Sequence, residues 1–162
     1  MKRFRKRIAL VVIVALFMSM LPMDNSAKAA STLTSGGWEY SINEDGTVTI
    51  TGTTEECGEL NLPNKIEGRK VTSIGDFVFS GCSGLTGSLT IPEGVTSIGK
   101  WAFDNCSGLT GSLTIPEGVT SIGYCAFRGC SGLTGSLTIP EGVTSIGDKA
   151  FYNCSGFAGS LT

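Results

Sequence analysis

Four cysteines recur every 24 residues in this chain of 162 residues, and their thiols are its most regular reactive groups. They are Cys82, Cys106, Cys130 and Cys154. In a secreted protein, such cysteines normally indicate a disulfide framework. Strict periodicity argues against pairing, because stacked side chains point the same way and a disulfide needs its Cβ atoms turned toward each other. We therefore predict a reduced, buried cysteine ladder, with paired disulfides as the alternative.

The other two cysteines lie outside this ladder. Cys57 breaks the period, and Cys125 takes the repeat position that Trp101 holds, where we expect an exposed side chain. The sequence has no C-x-x-C pair and no histidine, which excludes the usual zinc sites and any histidine-based catalysis. The sequence therefore predicts no metal site and no cofactor.

Three glutamates also recur at 24 residues: Glu93, Glu117 and Glu141. Stacked one strand apart, they would approach the carboxylate spacing of about 5 Å that retaining glycosidases use. Catalysis needs carboxylates in unequal environments, whereas these are copied with the whole repeat and share one environment. We expect a solvated acidic stripe, with calcium bridging as the alternative, and we predict that the protein is not an enzyme.

The elements that must position these residues come from an internal repeat. The string CSGLTGSLTIPEGVTSIG occurs three times unchanged, at residues 82–99, 106–123 and 130–147. A partial copy begins at Cys154, and a divergent copy precedes the three with residues 71–75 in register. A fixed period of this size predicts a solenoid, in which each unit buries its apolar face against its neighbours.

Within one unit, residues 88–91 alternate and predict a short strand, with Leu89 and Ile91 pointing inward and Pro92 ending the ladder. A second short strand follows at residues 95–99. Stacking one strand spacing apart, about 4.8 Å, aligns identical side chains. The predicted ladders are Leu85/Leu109/Leu133, Ile98/Ile122/Ile146 and Phe79/Phe103/Phe127/Phe151.

The pattern L-x-x-x-L-x-I-P-x-x-V-x-x-I-G-x-x-A-F-x-x-C over residues 57–162 resembles the BspA-like leucine-rich repeats of bacterial surface proteins. The resemblance implies a β-rich, right-handed solenoid with a parallel sheet on one face. It also implies secreted or surface-displayed proteins that bind host proteins, other cells or matrix. Each unit has one residue more than the usual pattern, so we expect coils of 24 residues.

Both ends of the array differ from its middle. Residues 37–52 alternate apolar and polar side chains around a turn at residues 43–46, which predicts a β-hairpin. We expect residues 30–56 to form a cap on the first coil. The solenoid at residues 57–162 stops mid-strand at Thr162 and has no second cap, so we expect a longer or truncated array. End-to-end self-association through that coil is a further expectation.

Residues 1–29 have the organisation of a signal peptide. Five basic residues lie within positions 2–7, an apolar run covers residues 8–21, and Ala27-Lys28-Ala29 supplies small residues at the cleavage spacing. The apolar run is shorter than the roughly 20 residues of a membrane span, although an uncleaved anchor is the alternative. We predict cleavage after Ala29 or Ala30 and a secreted or cell-surface protein.

Removal of this segment makes the protein acidic. Six of the 12 basic residues and one of the 14 acidic residues lie within it, which leaves 6 basic against 13 acidic residues and a net charge of −7. Nucleic acids and anionic membranes bind clustered Lys and Arg. We therefore expect neither nucleic acid nor membrane as a partner of the cleaved protein.

Short variable segments separate the identical blocks. They keep one Ala and one Phe and change four flanking positions, which carry aromatic and charged residues of the kinds enriched at protein interfaces. Neutral drift of a solvated loop is the alternative, and the resemblance favours instead the strand face that carries Ser88 and Thr90. The predicted partner-binding residues are Phe77, Trp101, Asp104, Tyr124, Arg128 and Tyr152.

Together these features predict a non-catalytic, exported recognition module that mediates adhesion to a protein of a host, a matrix or another cell. The main alternative is a passive spacer or stalk in a larger surface protein. A carbohydrate-binding module is the third hypothesis.

Overall fold

The computed structural model describes residues 32–158, where it has ten β-strands and no helix. The predicted signal peptide at residues 1–29 lies outside the described residues. The strands are β1 (Leu33–Ser35), β2 (Trp38–Ile42), β3 (Val48–Thr53), β4 (Lys65–Ile66), β5 (Arg69–Ile74), β6 (Leu89–Thr90), β7 (Ser97–Ile98), β8 (Leu113–Thr114), β9 (Ser121–Ile122) and β10 (Ser145–Ile146).

The larger sheet runs through the repeats in chain order. Its strand order is β1-β2-β3-β5-β7-β9-β10, and β4 pairs with β5. The pairs β1–β2, β2–β3 and β4–β5 are antiparallel. The pairs β3–β5, β5–β7, β7–β9 and β9–β10 are parallel. Ser73 pairs with Ser97, Ser97 with Ser121 and Ser121 with Ser145, so the register advances by one sequence repeat per strand. Equivalent strands therefore lie side by side, as the periodicity predicted.

A second, smaller sheet forms from the other strand of the repeat. Here β6 and β8 are parallel, with Leu89 opposite Leu113 and Thr90 opposite Thr114. Pro92 and Pro116 follow closely and cannot donate to a longer ladder, which keeps these strands short.

The core lies between the two sheets and is built from ladders of identical side chains. Phe79, Phe103, Phe127 and Phe151 stack with centroid separations of 5.1, 5.3 and 5.3 Å. The leucine and isoleucine ladders are buried in the same way, with one exception. Ile146 is 49% exposed, because β10 is the edge strand of its sheet and nothing among residues 32–158 pairs with its far side.

The predicted N-terminal hairpin is present as β2 and β3, with Ile42 opposite Val48. Asp45 fixes the turn by accepting hydrogen bonds from the Thr47 N–H and hydroxyl, and these bonds lower the pKa of Asp45. Strand β3 then pairs in parallel with β5 of the first repeat. Trp38 packs edge-on against Phe79 at 6.2 Å, so the hairpin contacts the end of the phenylalanine ladder.

Two elements were not predicted from the sequence. Strand β1 adds a third antiparallel strand to the hairpin. Residues 64–68, where the divergent first repeat carries extra sequence, turn back on themselves so that β4 pairs with β5, and Glu67 and Gly68 adopt positive φ at the tight turn. Within residues 32–158 no helix is long and apolar enough to cross a membrane.

Candidate functional site

The predicted binding residues lie on a turn that follows the larger sheet in every repeat. Phe77, Trp101, Cys125 and Lys149 occupy one repeat position and all have positive φ, between 52° and 60°. The backbone N–H groups of the first three donate to carbonyls of the next repeat, at 2.9 to 3.0 Å. These inter-repeat hydrogen bonds hold the backbone of those three residues in the left-handed conformation that non-glycine residues seldom adopt. The variable turn is therefore a fixed platform.

A second position near the end of the same turn also has left-handed backbone conformation. Its residue pattern indicates the turn in the sequence and was missed there. It holds Gly81, Asn105, Gly129 and Asn153, all at positive φ. Glycine and asparagine are the residues that tolerate this conformation best. Their alternation at one repeat position is the sequence pattern that indicates a left-handed turn.

Three aromatic side chains meet along this platform. Phe77 and Trp101 stack at 4.7 Å with an interplanar angle of 13°, and Trp101 meets Tyr124 edge-on at 4.9 Å. Phe77 is 56% exposed, and the other two rings are half-buried. The structure thus joins three predicted residues from successive repeats into one exposed aromatic row.

Asp104 and Arg128 form a bidentate ion pair between two neighbouring repeats. Arg128 donates from Nε to Oδ1 at 2.6 Å and from Nη2 to Oδ2 at 2.8 Å. The hydrogen bond to Asp104 is the main cause of the raised pKa of Arg128. Asp104 is only 5% exposed, because the Arg128 side chain covers the carboxylate. Asp104 acts on the surface by holding Arg128.

Tyr152 occupies the position of Arg128 one repeat later and is 55% exposed. Within residues 32–158, no hydrogen bond or aromatic stacking joins its side chain to the other five predicted residues. The structure therefore gathers the predicted residues into an aromatic row, an ion pair and a separate tyrosine, all on the variable turns. We call these six residues the variable surface.

A depression of about 430 Å³ lies beside Tyr124 on the larger sheet. It is lined by Asp76, Lys100 and the serines of three successive strands, Ser97, Ser121 and Ser145. The Lys100 backbone N–H donates to Asp76 Oδ1 at 2.7 Å. Polar sheet residues and the aromatic row are thus continuous, and one partner could contact both.

The cysteine ladder holds for three residues and fails for Cys82. Cys82 forms a disulfide with Cys57, with the Cα atoms 5.8 Å apart, so the prediction of a reduced Cys82 is wrong. The geometric argument against pairing applies only between equivalent repeat positions. Cys57 lies outside the periodic positions, so its Cβ direction is not constrained to be parallel to that of Cys82.

Cys106, Cys130 and Cys154 are free, the first two are buried and the third is half-buried. Their thiols donate to the carbonyls of Phe79, Phe103 and Phe127 at 3.1, 3.0 and 2.9 Å. Hydrogen bonding with Cys106 and burial raise the pKa of Cys130 well above its usual range, and burial raises the pKa of Cys154 to about 12. All three thiols are structural hydrogen-bond donors, and the raised pKa values make Cys130 and Cys154 poor nucleophiles.

Cys125 is fully buried, so its predicted exposure is wrong. A thiol is much smaller than the indole of Trp101 at the equivalent position, so neighbouring side chains can cover it completely. The glutamates Glu93, Glu117 and Glu141 are exposed on turns, as predicted. Within residues 32–158 no three metal-binding side chains converge.

Comparison with known families settles the classification of this array. Residues 54–157 match the model of the BspA type leucine rich repeat region in six copies. The chain belongs to this family. BspA-type repeats are typical of cell-surface and protein-interaction modules and are usually non-enzymatic scaffolds. No curated protein matches the chain.

Solved structures of bacterial leucine-rich repeat proteins share the fold. A protein from Bacteroides capillosus is 26% identical with a TM-score of 0.61, and the match covers 80% of this chain and 99% of the other. One from T. pallidum is 24% identical, with a TM-score of 0.59 over 79% of this chain and 70% of the other. A leucine rich cell surface protein from Faecalibacterium prausnitzii is 23% identical, with a TM-score of 0.58 over 82% of this chain. The BspA-type chain spans 55% of that protein.

Proposed function

We propose that this BspA-type protein is an exported recognition module, secreted or displayed at the cell surface, that binds a protein through its variable surface. One observation carries the proposal: side chains from the variable turns of three successive repeats form a continuous row from Phe77 through Trp101 to Tyr124. The partner is a protein of a host, a matrix or another cell, and the module takes part in adhesion without catalysis.

The chemistry of the variable surface suits protein recognition. Tryptophan, tyrosine and arginine supply most of the binding energy at protein interfaces. The rings are held by mutual stacking and Arg128 by Asp104, so few rotamers are lost on binding. Identical repeats alone could provide multivalency, whereas these residues differ from repeat to repeat and can discriminate between partners.

The proposal extends to the architecture that presents this surface. The repeats are right-handed coils of 24 residues, and the hairpin of β2 and β3 caps the first coil. Residues 1–29 are the export signal, removed after Ala29 or Ala30. The cleaved chain, with its net charge of −7, binds neither nucleic acid nor membranes. Its last coil takes part in end-to-end self-association.

Surface plasmon resonance against candidate host and matrix proteins tests the binding surface. We expect Trp101→Ala with Tyr124→Ala to weaken binding by about thirtyfold, because aromatic anchors typically contribute 2 kcal/mol or more. The matched control is Thr90→Ala with Thr114→Ala on the smaller sheet, which should bind as the parent does. Loss of binding in the threonine pair alone would move the site to that sheet.

The second candidate is a passive spacer or stalk in a larger surface protein. The three unchanged 18-residue blocks favour it, because a spacer needs length and no variation. Failure of the unsubstituted protein to bind any candidate in the same experiment would support this function over recognition. A carbohydrate-binding module ranks third, and glycan-array binding that survives loss of the aromatic row would support it.

A further inference from the structure

At one edge of the smaller sheet, along β6, no backbone hydrogen bonds join the first repeat to the second in the described part of the chain. Between β6 and β8, Leu89 N–H donates to the Ser112 carbonyl and Ile91 N–H to the Thr114 carbonyl. Because hydrogen-bonding direction alternates along a strand, the N–H and C=O of Thr90 face the other way, toward the first repeat. Residues 60–62 are the segment of the first repeat across from this edge, and within residues 32–158 no backbone hydrogen bond joins them to residues 88–90. The edge of β6 is open.

A cleft of about 580 Å³ lies at this open edge. Its walls come from the first repeat on one side and from residues 88–93 on the other. Ser88 and Thr90 are exposed. The cleft borders residues 64–68, where the chain turns back so that β4 pairs with β5. A strand edge inside a cleft can pair with an added extended segment, as in β-strand addition.

A second cavity of about 310 Å³ adjoins the N-terminal end of this edge and shares Leu60 and Asn61 with the cleft. Trp38, Phe79 and Leu85 provide its apolar and aromatic lining. Its charged lining is Glu55, Glu56 and Glu59, and it contains no Lys or Arg. An aromatic ring beside carboxylates favours a cationic group, through cation–π attraction and charge pairing.

We propose that this joint groove binds an extended peptide segment that carries an arginine or lysine side chain. The peptide backbone pairs with the free N–H and C=O of Thr90 and continues the smaller sheet on its open side. The basic side chain, placed just beyond the paired residues, enters the cavity between Trp38 and the glutamates. This site is separate from the variable surface, so a peptide of this chemistry binds in addition to the partner of the recognition module.

Amide hydrogen exchange tests the open edge with an internal control. Thr90 and Thr114 lie in identical sequence blocks, so their intrinsic exchange rates are equal, while only Thr114 faces a paired strand, β6. In the free protein we expect Thr90 to exchange at least about tenfold faster than Thr114. Equal protection of the two amides would show a closed edge and would overturn the proposal.

Titration with the peptide acetyl-Arg-Thr-Val-Thr-Val-Thr-Arg-amide tests the occupant. The arginines stand at both ends because the peptide can add parallel or antiparallel to β6. Trp101→Phe leaves Trp38 as the single tryptophan, so its fluorescence reports occupancy of the cavity. We expect saturable binding, a change in Trp38 emission and new protection at Thr90. The same peptide with glutamine in place of arginine should bind about tenfold more weakly.

Charge-matched variants separate the cavity from general attraction to an acidic protein. Glu55→Gln, Glu56→Gln and Glu59→Gln together should weaken the arginine peptide by about tenfold and leave the glutamine peptide unchanged. Glu44→Gln, Glu117→Gln and Glu141→Gln remove the same charge outside both cavities and should have little effect. Equal losses in the two triple variants, or no binding of the arginine peptide, would overturn the proposal.

Trp101→Ala with Tyr124→Ala should leave this peptide bound. This variant distinguishes failure of the peptide site from failure of the proposed binding at the variable surface.

Discussion

At the scale of single residues, the ion pair of Asp104 and Arg128 shows how a variable surface is stiffened. The carboxylate side chain is 7% exposed and the guanidinium 36%, so the pair is partly shielded from solvent. Removal of the arginine takes away the positive partner of the Asp104 carboxylate and leaves Asn105 as its side-chain donor. The free-energy cost of losing the ion pair therefore comes mainly from the Asp104 carboxylate, which keeps its charge without a positive partner.

We predict that Arg128→Ala lowers the free energy of unfolding, because the Asp104 carboxylate loses its bidentate partner. Urea denaturation followed by circular dichroism measures the change. The double variant Asp104→Asn with Arg128→Ala should recover part of the loss, because no buried charge remains. An Arg128→Ala protein as stable as its parent would show that the carboxylate is solvated after all.

The free thiols predict a loss of stability in alkali. Burial raises the pKa of Cys154 from 9.0 to about 12, and the pKa of Cys130 is raised as well. Unfolded thiols ionise first, so this stabilisation is complete below about pH 9 and declines as the pH rises toward 12. Unfolding midpoints measured across that range should fall. Replacement of both cysteines by Ala should flatten this part of the profile, and an unchanged slope would contradict the assignment.

The sequence was enough to predict the burial of individual cysteines, but not the side-chain contacts between neighbouring repeats. Periodicity was enough to predict that Cys106 and Cys130 are buried and unpaired. It could not show that non-periodic Cys57 reaches Cys82, nor that Arg128 folds over Asp104. Both contacts depend on side-chain direction between neighbouring repeats, which a linear pattern does not contain.

At the scale of elements, the variable turn combines exposure with backbone strain. Positive φ costs a non-glycine residue about 1–2 kcal/mol. Lys149 adopts φ 58°, is exposed and shares this position with Trp101. This position holds four non-glycine residues, and three of them are large or charged: Phe77, Trp101 and Lys149. Glycine would fit this backbone conformation better, so the presence of these side chains is consistent with a binding surface.

Lys149→Gly should therefore raise the unfolding free energy by about 0.5–1 kcal/mol, since relief of strain exceeds the added entropy of the unfolded glycine. Lys149→Val should lower it, because a β-branched residue adopts positive φ poorly. Thermal unfolding of the two variants beside the parent provides the comparison. If glycine proved destabilising, side-chain contacts of Lys149 rather than backbone strain would decide stability here.

The strands themselves were predictable where alternation was clean. The hairpin strands match the predicted residues 37–52 to within one residue, and β6 to β10 lie within the ranges predicted from the repeat, because apolar residues at alternating positions have one inward-facing register. The third unchanged block forms no strand at the described residues 136–139, where the repeat predicts one. Strand β1 and the pairing of β4 with β5 were missed, because they are short and polar and depend on tertiary neighbours.

At the scale of the whole molecule, each repeat touches mainly its neighbours, so stability accumulates repeat by repeat. The two ends of the stack then differ from its middle. On the N-terminal side, β3 pairs with β5 and Trp38 covers Phe79, the first ring of the phenylalanine ladder. The same junction carries the disulfide of Cys57 with Cys82. Several kinds of contact thus converge on one boundary, which supports the proposed cap.

Deletion of residues 32–53 tests the cap against a control of nearly equal length. The control lacks residues 100–123; it joins Gly99 to Tyr124 and keeps the repeat in register, because the flanking blocks are identical. We expect the control to fold with a urea m-value reduced in proportion to its length. Loss of the hairpin should cost about 6 kcal/mol beyond the control, since it exposes Phe79, Ile74 and Val71 at roughly 2 kcal/mol each. Equal stability of the two deletions would make the hairpin one more stacked unit and would remove the case for a cap.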